Sequence, residues 1–199
     1  MSFIDLGISE KNNSALKKLN ILKPTPVQKK AIPLVLNGNH LMTQAKTGTG
    51  KTLAFILPII EQLKYVNNEA LILVPTRELA KQINSVIKDL GNPKVKSMTI
   101  YGGVSINNQI NKLRNGVNII VGTPGRIIDL YKRRELKLQN IRFAVLDEGD
   151  RLWDMGFAPD VKYILNQIKS SYQFMLFSAT LDSDMRKLVQ NIQKINLNF

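Results

Sequence analysis

The chain has 199 residues, room for one sizeable α/β domain with a single core, and its 44% apolar content is ordinary for a globular protein. With no cysteine and one histidine, His40, disulfides and thiolate metal sites are excluded, and zinc clusters and Ser-His-Asp or Cys-His catalysis nearly so. Lys and Arg number 28 against 15 Asp and Glu, and the formal charge of +13 favours a polyanionic partner such as nucleic acid.

The N-terminus, MSFIDLGISEKNN, has no basic n-region and no apolar h-region. No segment approaches the roughly 18 apolar residues of a membrane span, so a soluble, intracellular, cytoplasmic protein is expected. Residues 1–39 read as an N-terminal extension. It holds a helix opened by Ser9 and a second opened by Thr25 with Pro26 at its first position.

From residue 40 onward, short β-branched runs alternate with helical patterns. Leu41 to Gln44 is the first strand, and the runs 70–74, 97–101, 117–121, 143–146 and 174–177 follow as buried strands. Between them lies, for example, RELAKQINSVIKDLG, where Leu79, Ile83, Val86, Ile87 and Leu90 share one face before Gly91 and Pro93 stop the helix. The terminal run Lys194 to Phe199 also reads as strand-like. Strand-then-helix repetition predicts a mostly parallel sheet between helices, with ligands at the carboxyl ends of the strands.

The first such end is AKTGTGKT, Ala45 to Thr52. Gly48 and Gly50 let backbone amides turn around an anion, and the following helix N-terminus adds partial positive charge. Lys51 can reach β- and γ-phosphates, and the Thr52 hydroxyl can ligate magnesium. The strict Walker A pattern wants glycine at Ala45, and a glycine-rich strand-to-helix turn also occurs without nucleotide. A second signal is FAVLDEGD, an apolar run ending in Asp147 and Glu148. There an aspartate can hold magnesium through water and a glutamate can orient or deprotonate an attacking water. Read alone, DEGDR is equally a solvated polar turn.

Thr76, Arg77, Gly102, Gly103, Thr123, Gly125 and Arg126 all fall just after apolar runs. Hydroxyls, amides and arginines at such positions suit phosphates and sugars without sequence choice. For Arg77 and Arg126 the alternative is helix-end salt bridging, for instance Arg77 with Glu78 or a neighbouring acid. The run YKRREL, Tyr131 to Leu136, reads as a solvated basic face, and Trp153, Met155 and Phe157 as packing beneath the carboxylate loop.

In order and over nearly the whole length, these segments resemble the N-terminal RecA-like domain of a DEAD-box RNA helicase of superfamily 2. LKPTPVQ resembles that family's adenine-reading Q motif, with Thr25 and base-reading Gln28, and with Phe3, seventeen residues before Asn20, as the aromatic near the base. AKTGTGKT resembles motif I in the family's own form, which begins with alanine. The resemblance implies ATP and Mg2+ bound by Ala45, Lys46, Thr47, Gly48, Thr49, Gly50, Lys51 and Thr52. Catalysis would rest on Lys51, Asp147 and Glu148, and Thr52 and Asp147 would hold the metal, partly through water.

The same resemblance assigns RNA-backbone contacts to Pro75, Thr76, Arg77, Gly102, Gly103, Thr123, Pro124, Gly125 and Arg126. It assigns coupling between nucleotide state and RNA to Asp150, Ser178, Ala179 and Thr180. It divides the chain into the extension, 1–39, and an ATP-binding RecA-like body, 40–199, with the second RecA-like domain absent. That missing domain would bring arginines to the γ-phosphate, a contribution on the order of 10³ to 10⁵ in rate, so this half is expected to bind nucleotide and turn over poorly. Two positions depart from the family: Gly149 replaces the alanine of Asp-Glu-Ala-Asp, and Asn20 stands where glycine is common. A nucleotide-dependent RNA clamp, a superfamily 2 DNA helicase and a small-molecule P-loop kinase are the competing readings, the last lacking any visible lid or acceptor site.

Overall fold

The structure, a computed structural model, describes residues 1–46 and 48–196, the last four of these by backbone alone. Thr47, expected in the nucleotide site, and residues 197–199 lie outside the described residues.

Six short strands form one sheet: β1 (Leu41–Gln44), β2 (Ala70–Leu73), β3 (Ser97–Ile100), β4 (Ile119–Gly122), β5 (Phe143–Asp147) and β6 (Gln173–Ser178). Their order is β1-β6-β5-β2-β4-β3, and every pairing is parallel. Parallel neighbours need crossovers, and helical segments supply them: α3 (Lys51–Gln62), α4 (Arg77–Asp89), α5 (Ile106–Arg114), α6 (Pro124–Lys132), and α7 (Gly149–Asp154) with α8 (Ala158–Gln167); α9 (Ser183–Asn196) follows β6.

Successive strand residues face opposite ways, so the apolar runs feed both sides of the sheet. Ile72, Val121, Val145 and Phe177 pack with Phe55, Ile59 and Ile83, whereas Leu71, Ile120, Leu146 and Leu176 pack with Ile127, Leu152 and Ile164. The single core expected from length is thus two cores, one per face. Trp153 and Phe157 join the second as partly buried packing residues, while Met155 is half exposed.

The extension belongs to the first core, which includes Leu16, Ala31, Ile32 and Val35 from α1 (Glu10–Lys18) and α2 (Pro26–Leu36). Ser9 caps α1, and the carboxylate of Glu61 on α3 accepts from Ser9 N, Ser9 Oγ and Asn12 Nδ2, each at 2.8 Å. Three charge-assisted bonds therefore fasten the first helix to α3. Asn20 closes the turn after α1 at φ 58, a left-handed position that asparagine tolerates and that explains the glycine preference there.

One element differs from expectation. Lys194, Ile195 and Asn196 continue α9 instead of opening a strand. Met185, Leu188, Val189 and Ile192 are buried at helical spacing, so the helix period governs this segment through its last described residues.

Candidate functional site

The carboxyl ends of β1, β6 and β5 stand side by side on one half of the rim, and those of β2, β4 and β3 on the other. On the first half, β1 leads into a loop whose Gly48 and Gly50 take φ 81 and 89, a region costly for any residue with a Cβ. Gly50 is needed twice over: a Cβ there would stand 2.6 Å from Gln28 Nε2 and 3.1 Å from Thr25 Oγ1. Gln28 is buried, accepts from Thr25 N at 2.9 Å and donates to Gly50 O at 2.9 Å. The start of α2 is thereby tied to the loop, and each amide atom of Gln28 keeps one further bonding position. The buried Thr25 Oγ1 faces the Gln28 N–H in a capping box but makes no full hydrogen bond among the described residues.

Lys51 opens α3 and is 7% exposed, with its Nζ 3.9 Å from Asp147 Oδ1 at the end of β5. That separation is an ion pair and too long for a hydrogen bond, leaving both groups donor and acceptor capacity for a third party. Thr52 is half-buried beside it, while Lys46, Gly48 and Thr49 are exposed and Ala45 continues the ladder by donating to Ser178 O at 2.8 Å. Burial pushes the Asp147 carboxyl up to about 6, with Lys51 and the N–H of Glu148 pulling the other way. Its site disfavours a bare carboxylate and would favour one neutralised by a cation.

Glu148 is buried and adopts φ 53 without being glycine, a strained conformation of the kind found at functional sites. Its Oε2 is held by Arg151 Nη1 at 2.6 Å. Ser178 Oγ, fully buried at the end of β6, accepts from Asp150 N at 2.8 Å and donates to Asp150 Oδ1 at 3.0 Å. The end of β6 is thus tied to the start of α7 (Gly149–Asp154), just past the end of β5. Ala179 O accepts from Gln44 Nε2 at 3.0 Å, and Thr180 is exposed at the rim.

On the second half, Thr76 caps α4 by accepting from Leu79 N at 3.2 Å, and its hydroxyl hydrogen remains available. Arg77 makes the ion pair with Glu78, Nε to Oε1 at 2.6 Å, and also reaches the glycine turn, where a Cβ on Gly103 would lie 3.8 Å from its Nη1. Arg126 donates from Nη1 to Val104 O at 3.2 Å and lies 3.8 Å from Asp129 Oδ2. Gly102 and Gly125 are exposed with open space around them, Thr123 caps α6 without a side-chain bond, and Pro75 and Pro124 are buried. Three loops distant in sequence therefore converge through two arginines.

Phe3 requires a correction. Its ring is 0% exposed within the first core, so it has no free face for a base and acts here as a packing residue. Arg151 went unread in the sequence, and Asp129 was not named as the acid of the helix-end pair considered for Arg126. Both stand three residues along a helix from the group they engage, and that spacing is a legible signal.

Among the described residues, no group of three or more His, Cys, Asp and Glu could hold a metal alone. A parallel sheet whose first strand enters a left-handed glycine loop and a helix with a buried lysine, opposite a strand-end aspartate, defines a P-loop nucleotide-binding domain.

Within that class, the chain belongs to the DEAD/DEAH box helicase family, which it matches over residues 25–188. It is 45% identical over 190 residues to the RNA helicase CrhR of a Synechocystis species, an overlap of 94% of this chain and 39% of that protein. The crystal structure of a DEAD box protein from the hyperthermophile Methanococcus jannaschii superposes with a TM-score of 0.92 at 42% identity, covering 96% of this chain and 53% of that one. A hypothetical ATP-dependent RNA helicase from Sulfolobus tokodaii gives 0.87 at 38% identity, covering 93% and 55%. The fold is accordingly RecA-like, and the chain spans 39% to 55% of the length of these relatives.

Proposed function

We propose that the chain is the ATP- and RNA-binding first half of an ATP-dependent RNA helicase. The observation that carries this reading is the shared rim. The buried Lys51–Asp147 pair and Glu148 follow β1 and β5, the strands on either side of β6, and the Arg77 and Arg126 loops continue the same edge. Residues 1–39 would serve as the base-reading extension of the body at 40–199, through Gln28 and the Thr25 hydroxyl beside it.

In this reading, the amides from Ala45 to Gly50 and the ammonium of Lys51 bind the phosphates. Thr52 and Asp147 would hold Mg2+, which when bound neutralises charge on the phosphate oxygens. Glu148, fixed by Arg151 and by its strained backbone, orients the attacking water and takes its proton. Asp150 and Ser178 bind each other and so link the carboxylate loop to β6, whose Ala179 and Thr180 extend that link along the rim. Arg77, Arg126, Thr76, Thr123 and the exposed glycines contact phosphate and ribose, giving binding without base selection. In the whole protein, a second RecA-like domain would close over both halves, supply arginines to the γ-phosphate, and couple hydrolysis to strand separation.

Calorimetric titration with ADP and GDP, beside magnesium-ATP turnover with and without single-stranded RNA, tests this. ADP should bind at least about tenfold more tightly than GDP, with negligible turnover by the chain alone. Strong RNA-stimulated turnover by the monomer, lost in Glu148→Gln, would show the cleft complete in this chain and the two-domain reading wrong. Absence of ADP binding would reject the nucleotide reading altogether.

A further inference from the structure

The basic run after α6, expected to be a plain solvated face, instead walls a groove of about 440 Å³ with Tyr163 of α8 opposite. Arg134 leaves the helix at φ 62 with its N–H donating to Tyr131 O at 2.9 Å, so the chain turns sharply and Leu136 is buried under the groove floor. Tyr131 Oη donates to Gln167 Oε1 at 3.1 Å, tying α6 to α8 and fixing the two walls. The groove lies at the far end of α6 from Thr123. Nine helical residues separate the two, a rise of about 13 Å.

The charges here are unbalanced in a specific way. Arg133 is engaged by Asp129 at 2.7 Å, and Glu135, the acid within the run, is engaged by Arg114 at 2.7 and 3.2 Å. Lys132, Arg134 and Lys137 remain without an ion-pair partner among the described residues. Lys132 Nζ sits 5.7 Å from the centroid of the Tyr163 ring, which is 37% exposed and packs edge-on with Tyr131 at 6.5 Å. Cations lining a groove of ligand size beside an accessible ring match what binds an unpaired nucleotide: phosphate to ammonium and guanidinium, base to aromatic face.

We propose that this groove is a second nucleic-acid contact that takes single-stranded RNA extending beyond the rim. A duplex would leave the tyrosine face unused, because its bases are already stacked. An acidic peptide would satisfy the cations but leave no reason for the ring beside them. The proposal goes beyond the rim reading and rests on it for the identity of the polymer.

The test titrates labelled oligouridines of about 6 and about 20 nucleotides into the wild-type chain, the Arg134→Ala/Lys137→Ala double variant, Tyr163→Leu and the rim variant Arg126→Ala. The substituted groove residues Arg134, Lys137 and Tyr163 are exposed, and melting curves check that each variant folds. The double variant should bind the longer RNA about tenfold more weakly and the shorter one within about twofold, with a salt dependence of log K shallower by about 1.4, for two phosphates lost. Tyr163→Leu should also weaken the longer RNA. A 4-thiouridine version should crosslink to the peptide bearing Tyr163.

An unchanged affinity and salt slope in the double variant, with Arg126→Ala still weakening both RNAs, would overturn the groove and leave the rim standing. Loss of polyglutamate binding in the double variant with RNA binding unchanged would reassign the groove to acidic protein. No RNA binding by the wild-type chain at all would remove the rim reading and this proposal together.

Discussion

Gly149 shows how one missing methyl is accommodated. A Cβ on it would lie 2.7 Å from Leu176 Cδ1 and 3.6 Å from Ser178 Cβ and Oγ, and Leu176 is wholly buried. The leucine methyl stands in the space that an alanine Cβ here would need. Restoring alanine would gain up to about 1 kcal/mol of helix propensity at the start of α7, but forcing a packed leucine from its rotamer costs about 1 to 3 kcal/mol. The overlap should win. Gly149→Ala is expected to destabilise by about 1 kcal/mol, a fall of roughly 2 to 4 °C in Tm. Leu176→Val removes the clashing methyl, so the double variant should be more stable than the two single effects summed, by about 1 kcal/mol in a urea-unfolding cycle. Additive losses would show that Leu176 does not fill the space.

At the scale of elements, the strand ends hold charges that the fold makes expensive. Asp147 closes β5 with a carboxyl raised to about 6, so between its unfolded value near 3.8 and that figure the native state carries the extra proton. Its contribution to stability is full below 3.8 and is lost as pH rises through about 6. His40, just before β1, works oppositely. Burial depresses its pKa while Nδ1 accepts from Phe174 N at 2.9 Å, so its contribution is present above the ordinary imidazole range and lost as pH falls. Asp147→Asn separates the two effects. In urea at pH 7.5, the variant should be more stable than the nucleotide-free wild type by on the order of 1 kcal/mol, and the gap should close toward pH 5. A gap that widens toward pH 5 would contradict the burial account. The strands themselves were legible because buried parallel strands are runs of apolar residues, and their ends fell within two residues of expectation. The exceptions had polar causes. Asn118 is removed from the start of β4 because its side chain accepts from Lys96 N at 2.8 Å and donates to Val66 O at 3.0 Å, stapling two loops. Gln173 joins β6 because its amide caps Val35 O and Asn39 O at 3.0 and 2.6 Å. Likewise the P-loop and the acid pair could be read from spacing, whereas the burial of Phe3, the Arg126 bond to Val104 O and the tyrosine beside the basic run arise from contacts no local pattern encodes.

For the whole molecule, the sheet order decides how the proposed nucleotide and RNA sites can communicate. Phosphate-side loops follow β1, β6 and β5, polyanion-side loops follow β2, β4 and β3, and they meet only where β5 borders β2. The bonds found on the rim stay within each half: Ser178 with Asp150 and Gln44 with Ala179 on one, Arg77 near Gly103 and Arg126 with Val104 on the other. Coupling requires an element with two arrangements that both ligands bias, and among the described residues no side-chain hydrogen bond on the rim crosses from one half to the other to provide it. This chain alone should therefore bind its two ligands independently. Lys51→Ala is expected to lower ADP affinity at least about tenfold, since it removes a buried cation from the phosphates, while RNA affinity stays within about twofold. Arg126→Ala should do the reverse. Saturating single-stranded RNA should leave the ADP dissociation constant within about twofold by calorimetry, a coupling below about 0.5 kcal/mol. A shift of about fivefold or more would place the switch inside this half and make the Ser178–Asp150 link its first candidate, since that bond ties the end of β6 to the start of α7, just past the end of β5.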